Sequence, residues 1–165
     1  MKIWLLQLVV GILGCGFAVC SAQAPSSDEV LLHTAYRQLM DAENKHDLQA
    51  VAALVADSQD ALFVAKAPVG WQGYWGKQVI VEHFQALYQH PFRIDPDYSE
   101  EKVVFPAPGV AETYVPVKIL AAYGHFSQPS PFIMVLLWVK KKDGWKMMTD
   151  IPIPIPQSAA TPPPR

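Results

Sequence analysis

The stretch Lys142 to Asp150, K-D-G-W-K-M-M-T-D, turns the chain back on itself. It follows Phe132 to Val139, a continuous apolar run that reads as a buried strand. An Asp143-Gly144 loop favours a type I′ turn, because both of its central positions need positive φ. A hairpin closed there pairs Lys142 with Trp145, Val139 with Met148 and Leu137 with Asp150. Beyond it lies Ile-Pro-Ile-Pro-Ile-Pro, residues 151–156, whose missing N–H groups are expected to stop sheet pairing. Asp150 is therefore read as one of the last residues the sheet can hold.

Upstream of the hairpin the pattern is also that of strands. Val110 to Tyr123 alternates, with Ala111, Thr113, Val115, Val117, Ile119, Ala121 and Tyr123 on one face. Pro116 within it implies an edge position or a bulge. Pro106 to Gly109 is a turn, Lys102 to Phe105 a short strand, and Phe92 to Tyr98 an extended segment restricted by Pro96.

The first half reads as helices. Ser26 and Glu29 have capping-box spacing. Leu32, Ala35, Tyr36, Leu39, Met40 and Glu43 then follow on one helical face, apolar except for the last. Asp47 can cap a second, shorter helix with Leu48, Val51, Ala52, Leu54 and Val55 inside. Ala61 to Ala65 reads as a buried strand, and Pro68 to Gly76 as a loop rich in glycine and aromatic residues. A third helix spans about Lys77 to Gln89, with Val79, Ile80, His83, Phe84, Leu87 and Tyr88 on its inner face, and His90-Pro91 ends it.

Composition bounds the function. The formal net charge of the 165 residues is −2 at pH 7, with no basic excess to attract nucleic acid or anionic lipid. Residues 1–22 have the pattern of a secretory signal peptide: Lys2, an apolar run from Ile3 to Val19, then small residues. Cleavage is expected after Ala22, with no membrane span left after cleavage. Two alternatives stay open, an uncleaved anchor and a lipoprotein acylated at Cys15 in Ile12-Leu13-Gly14-Cys15. The two cysteines, Cys15 and Cys20, both fall in this segment, so a cleaved chain has neither disulfide nor thiolate chemistry. The expectation is an exported, periplasmic or secreted protein with one domain over residues 26–152 and a proline-rich tail over 153–165.

Three stretches carry a family resemblance. They are Asn44 to Leu54 (N-K-H-D-L-Q-A-V-A-A-L), Gly76 to Phe84 (G-K-Q-V-I-V-E-H-F) and Asp143 to Asp150 (D-G-W-K-M-M-T-D). Their order and spacing, over Asp28 to Ile151, resemble the SnoaL-like branch of the nuclear transport factor 2-like superfamily. The resemblance implies an α+β fold, a cone-like curled antiparallel sheet packed on three N-terminal helices, with an apolar pocket at its open end. It also implies frequent homodimers through the outer sheet face, and functions from isomerases, dehydratases and hydrolases to binding modules. Fold alone does not choose among these.

Within that frame Asp150 and His83 are the candidate catalytic residues. A carboxylate in an apolar setting has a raised pKa and can act as acid or base. Against this, Asp150 at a strand end can simply face water. His83 on an apolar helix face can be an acid–base group or a core histidine bonded to backbone. Tyr36, Trp71, Trp75, Tyr114 and Tyr123 are candidates to line or gate the pocket, ordinary packing being the alternative. His33, His46, His90 and His125 share no metal-ligand spacing, and no phosphate loop or Gly-x-Ser-x-Gly motif occurs, so no metal and no cofactor is expected. Three functions follow: binding of a small, largely apolar molecule, acid–base catalysis of isomerase, dehydratase or hydrolase type, or a dimerising interaction module of the cell envelope.

Overall fold

The computed structural model describes residues 26–67, 70–121 and 128–156. Three helices, α1 (Ser27–Asn44), α2 (Leu48–Leu54) and α3 (Lys77–Leu87), pack inside a curled, unclosed sheet of seven strands. The strands are β1 (Leu62–Ala67), β2 (Gly70–Trp75), β3 (Phe92–Pro96), β4 (Lys102–Ala107), β5 (Val110–Ala121), β6 (Ser130–Lys141) and β7 (Gly144–Pro154). Their order is β2-β1-β7-β6-β5-β3, with β4 also paired to β5. This is the α+β cone expected, with one difference. The sheet is mixed, because β1 runs parallel to β7 at Leu62–Thr149 and Phe63–Asp150.

The helix starts follow the local chemistry. The Ser26 hydroxyl accepts from the Glu29 N–H at 3.2 Å, and Asp47 Oδ1 accepts from the Ala50 N–H at 3.0 Å. Between α1 and α2 the chain reverses at His46, whose φ is +56°. Asn44 ties that corner to the sheet: its amide donates to the Ile94 carbonyl at 2.7 Å and accepts from the Ile94 N–H at 2.8 Å. The segment read as a Gly/Trp loop is mostly strand β2, since Trp71, Tyr74 and Trp75 suit a pleated surface and pair along the whole of β1.

Pro116 lies in neither an edge strand nor a bulge. Its carbonyl accepts from the Asp97 N–H at 2.8 Å, so its nitrogen faces the break between β3, which pairs from Val117 onward, and β4, which pairs up to Tyr114. The missing N–H there costs no ladder bond.

The closing hairpin differs from the reading above in register. The turn residues are Lys142 and Asp143, and Gly144 opens β7 at φ +114°, a conformation that glycine adopts readily. Lys141 therefore faces Gly144, and Trp138 faces Met147. A bulge at Met148 then shifts the pairing by one, setting Leu137 opposite Thr149 and Leu136 opposite Asp150. The bulge also changes which side chains point inward. Before it Trp145 and Met147 are buried, and after it Asp150 and Pro152 are. Without the extra residue Asp150 would face outward, since strand side chains alternate.

The same shift explains why the prolines do not end the strand. After the bulge the odd residues turn their N–H groups to β6, as Ile155 does in donating to the Pro131 carbonyl at 3.0 Å. Pro152 and Pro154 turn their bare nitrogens the other way, toward β1. Pairing to β6 therefore continues to Pro154, while pairing to β1 stops at Asp150.

Deleting Met148 would remove the bulge, expel Asp150 and set the prolines against β6. Denaturant unfolding of that deletion is expected to show a loss above about 4 kcal/mol or no cooperative transition, whereas Met148→Ala costs about 1 kcal/mol.

Candidate active site

Where β1 and β7 part beyond Asp150, a cavity of about 90 Å³ opens inside the cone. Its walls are Phe63, Ala65, Lys66 and Trp71 from the β1–β2 hairpin, Phe132, Met134 and Pro152 from β6 and β7, and Phe92, Ile94, Ile119 and Ala121 from β3 and β5. Leu87 and His83 close it from α3, and Glu43 of α1 forms its polar end. Trp71, Lys66 and Phe132 also border a shallower depression with Pro154 and Ile155, which makes them the mouth. Trp71 is 45% exposed there.

Beneath the cavity is a group of acidic side chains. Glu43 is 1% exposed, Asp150 0% and Tyr36 0%. Glu43 Oε1, both Asp150 carboxyl oxygens and the Tyr36 hydroxyl have no hydrogen-bond partner within the protein. Among the described residues no lysine, arginine or histidine is buried with them. Burial pushes the Asp150 carboxyl up to about 8. It also holds Glu43 well above the usual carboxylate range, with the charge of Asp150 adding to the effect. Tyr36 is raised by burial first and then by Asp150 and Glu43, so its phenol stays neutral. Tyr88, just past α3, is raised by burial and by Glu43. A pair of carboxyls in this setting holds protons near neutral pH and can give or take one.

His83 lies in the cavity wall, its ring centroid 3.9 Å from that of Tyr74 and 5.3 Å from that of Phe63. Burial lowers its pKa to about 4, so at neutral pH it is an uncharged imidazole.

The residues singled out in the sequence fall in different places. Asp150 does not face water, because the bulge turns it inward, yet it is not among the residues that line the cavity. His83 reaches the wall, and no hydrogen bond or ion pair joins it to Asp150 among the described residues. Trp71 stands at the mouth. Trp75 is instead 58% exposed and borders a separate surface depression with Gln59 and Lys77. Tyr36 is core, its ring packed on Tyr98 and Trp138 at centroid distances of 6.2 and 6.3 Å. Tyr114 lies off the cavity on the other face of β5, where its hydroxyl bonds Glu112. Tyr123 lies outside the described residues. The residue that the sequence reading passed over is Glu43. Its signal was a single acidic position on an otherwise apolar helical stripe, where burial leaves a carboxyl facing the core.

Among the described residues no three His, Cys, Asp or Glu side chains converge as a metal site, and no helix is long and apolar enough to cross a membrane. No family model and no curated protein sequence matches the chain. Solved structures do match. An NTF2-like protein from Cytophaga hutchinsonii is 16% identical, with a TM-score of 0.64 over 79% of this chain and 100% of that one. A protein with a cystatin-like fold from Caulobacter vibrioides is 16% identical, with a TM-score of 0.66 over 79% of this chain and 92% of that one. A candidate dehydratase of the NTF2-like family from Streptomyces avermitilis is 15% identical, with a TM-score of 0.64 over 78% and 96%.

Two measurements check this electrostatic picture. The folded state prefers protonated Asp150, so Asp150 favours folding most below its ordinary value of 3.8, and that advantage is lost as pH rises to about 8. Asp150→Asn should therefore gain stability relative to wild type across that window, by at most about 1.4 kcal/mol per pH unit, and show a flat difference below it. The His83 imidazole, followed by NMR, should titrate near 4 rather than 6.5. Its lowered pKa makes folding less favourable as pH falls between those two values.

Proposed function

We propose that this chain, which has the nuclear transport factor 2-like fold, is an exported protein that binds a small, largely apolar molecule in its cone pocket. The carrying observation is the cavity itself, walled by aliphatic and aromatic side chains and ending on one buried carboxyl. Ligand sites have this composition, apolar walls with a few polar groups to fix orientation. The volume of about 90 Å³ is below the 150 Å³ of a dry cavity that holds benzene. The enclosed part thus suits one slim group, with the rest of the ligand leaving past Trp71 and Phe132. The N-terminal pattern of charge, apolar run and small residues supports export. The half-buried apolar residues Ile133, Val135 and Leu137 on the outward side of β6 support a homodimer through that face.

Acid–base catalysis is the second reading. It is favoured by the proton-holding Glu43–Asp150 pair beside a neutral His83. In that reading Glu43, on the cavity wall, is the group that meets a substrate, and Asp150 tunes it from behind. Binding stands first because the lining offers a single buried carboxyl.

A melting screen with small apolar compounds tests both readings. A compound at 100 times its Kd is expected to stabilise the protein by about 2.7 kcal/mol. Trp71→Ala should weaken that shift by opening the mouth, and Ala65→Phe should abolish it by filling the cavity. A cavity-binding compound that is also chemically converted, with conversion lost in Glu43→Gln, would favour the second reading. A panel that leaves the melting temperature unchanged would count against both.

A further inference from the structure

We infer that the pocket takes a small organic cation, an amine with an apolar body, whose ammonium group sits against Glu43. This rests on the reading that the cavity is a ligand site, and it names the chemical class of the ligand.

The acidic end lacks partners. Glu43 lines the cavity, is 1% exposed, and keeps Oε1 without a protein partner. Asp150, close enough for its charge to act on Glu43, has two more unpartnered oxygens. Buried carboxyls are ordinarily paired with a cation or saturated with donors. Among the described residues the cations of α1, its C-cap and β7 are engaged elsewhere. Arg37 of α1 stacks over the Tyr98 ring at 4.8 Å, and Lys45 lies 3.9 Å from Asp41. Lys146 of β7 bonds Asp143 and the Ala53 carbonyl at 2.8 Å each. Among the described residues Lys66 is the one lysine or arginine that lines the cavity, and it is exposed, while none is buried beside Glu43.

The walls suit such a visitor. An ammonium offers three donors and no acceptor, which suits the unpartnered carboxyl oxygen of Glu43 in the cavity lining. Phe63, Phe92, Phe132 and Trp71 surround the path with aromatic rings, whose faces attract cations in desolvated sites. A neutral imidazole at His83 adds no competing charge. Lys66 at the mouth does oppose a cation, from a position open to solvent.

The exchange balances. As the ammonium enters, one O–H bond of the Glu43–Asp150 pair breaks, its proton leaves to solvent, and a carboxylate–ammonium pair forms. Binding is therefore coupled to pH. The titratable groups that act on or share the cavity with Glu43 are Asp150 from β7, Tyr36 from its own helix, Tyr88 beyond α3, and His83 and Lys66 in the cavity lining. Both tyrosines stay neutral. Affinity should rise with pH as the carboxyl pair yields its proton more readily.

Isothermal titration of the full chain with benzylamine and with its neutral analogue benzyl alcohol tests this, in two buffers of different ionisation enthalpy. The expected result is at least about ten-fold tighter binding of benzylamine, with release of a proton and affinity rising from pH ~6 to pH ~8. Glu43→Gln should weaken benzylamine about thirty-fold and leave benzyl alcohol unchanged. Asp150→Asn, a second variant should the first not fold, should keep the amine preference and release fewer protons. Equal affinities, or an amine preference that survives Glu43→Gln, would overturn the inference and leave a pocket for neutral molecules. If neither probe binds while other apolar compounds shift the melting temperature, only the cation fails. If nothing binds, the pocket reading fails with it.

Discussion

The site depends on one extra residue in the last strand, the bulge at Met148. Strand side chains alternate, so a one-residue shift exchanges the two faces of everything downstream. Trp145 and Met147 face inward before the bulge, and Asp150 and Pro152 after it. Backbone polarity is exchanged together with the side chains. A strand that would have presented proline nitrogens to β6 instead presents the N–H groups of Ile151, Ile153 and Ile155. The bond from Ile155 to Pro131 shows that phase directly.

The consequence is a split in the sheet. β1 joins the main body through two parallel pairs with β7, and Pro152 is the next β7 residue whose nitrogen points at β1. Pairing ends there, the β1–β2 hairpin leans away, and the gap becomes the cavity lined by Ala65, Lys66 and Trp71 on one side and Pro152 on the other. The proline run that looked like a strand terminator thus ends one ladder and spares the other.

This accounts for what was legible in the sequence. Helix caps at Ser26 and Asp47, the alternating face of β5 and the order of elements are local patterns, and local patterns survive folding. The hairpin register was not legible, because Lys-Asp-Gly supports either a turn centred on Asp143-Gly144 or one at Lys142-Asp143 followed by a positive-φ glycine. The bulge carries no sequence mark at all, since Lys-Met-Met-Thr reads as a plain strand. Asp150 was picked out for its apolar neighbours, but its direction hung on that invisible bulge. Glu43 was seen and counted as the polar edge of a helical stripe. It becomes the polar end of a cavity only when β7 brings a second carboxyl behind it, a long-range event that no window along α1 contains.

The carboxyl pair also bears on why such a site would persist. Two unpartnered buried carboxyls cost stability that a well-packed leucine would not. Leucine would fit the apolar faces on which both residues lie, so packing does not demand acids here. Nor does the pair help define the hairpin, whose register follows from Gly144 and the bulge. What the pair does supply is a proton-holding carboxyl, that of Glu43, at the end of an otherwise apolar cavity, with a second buried carboxyl raising its pKa.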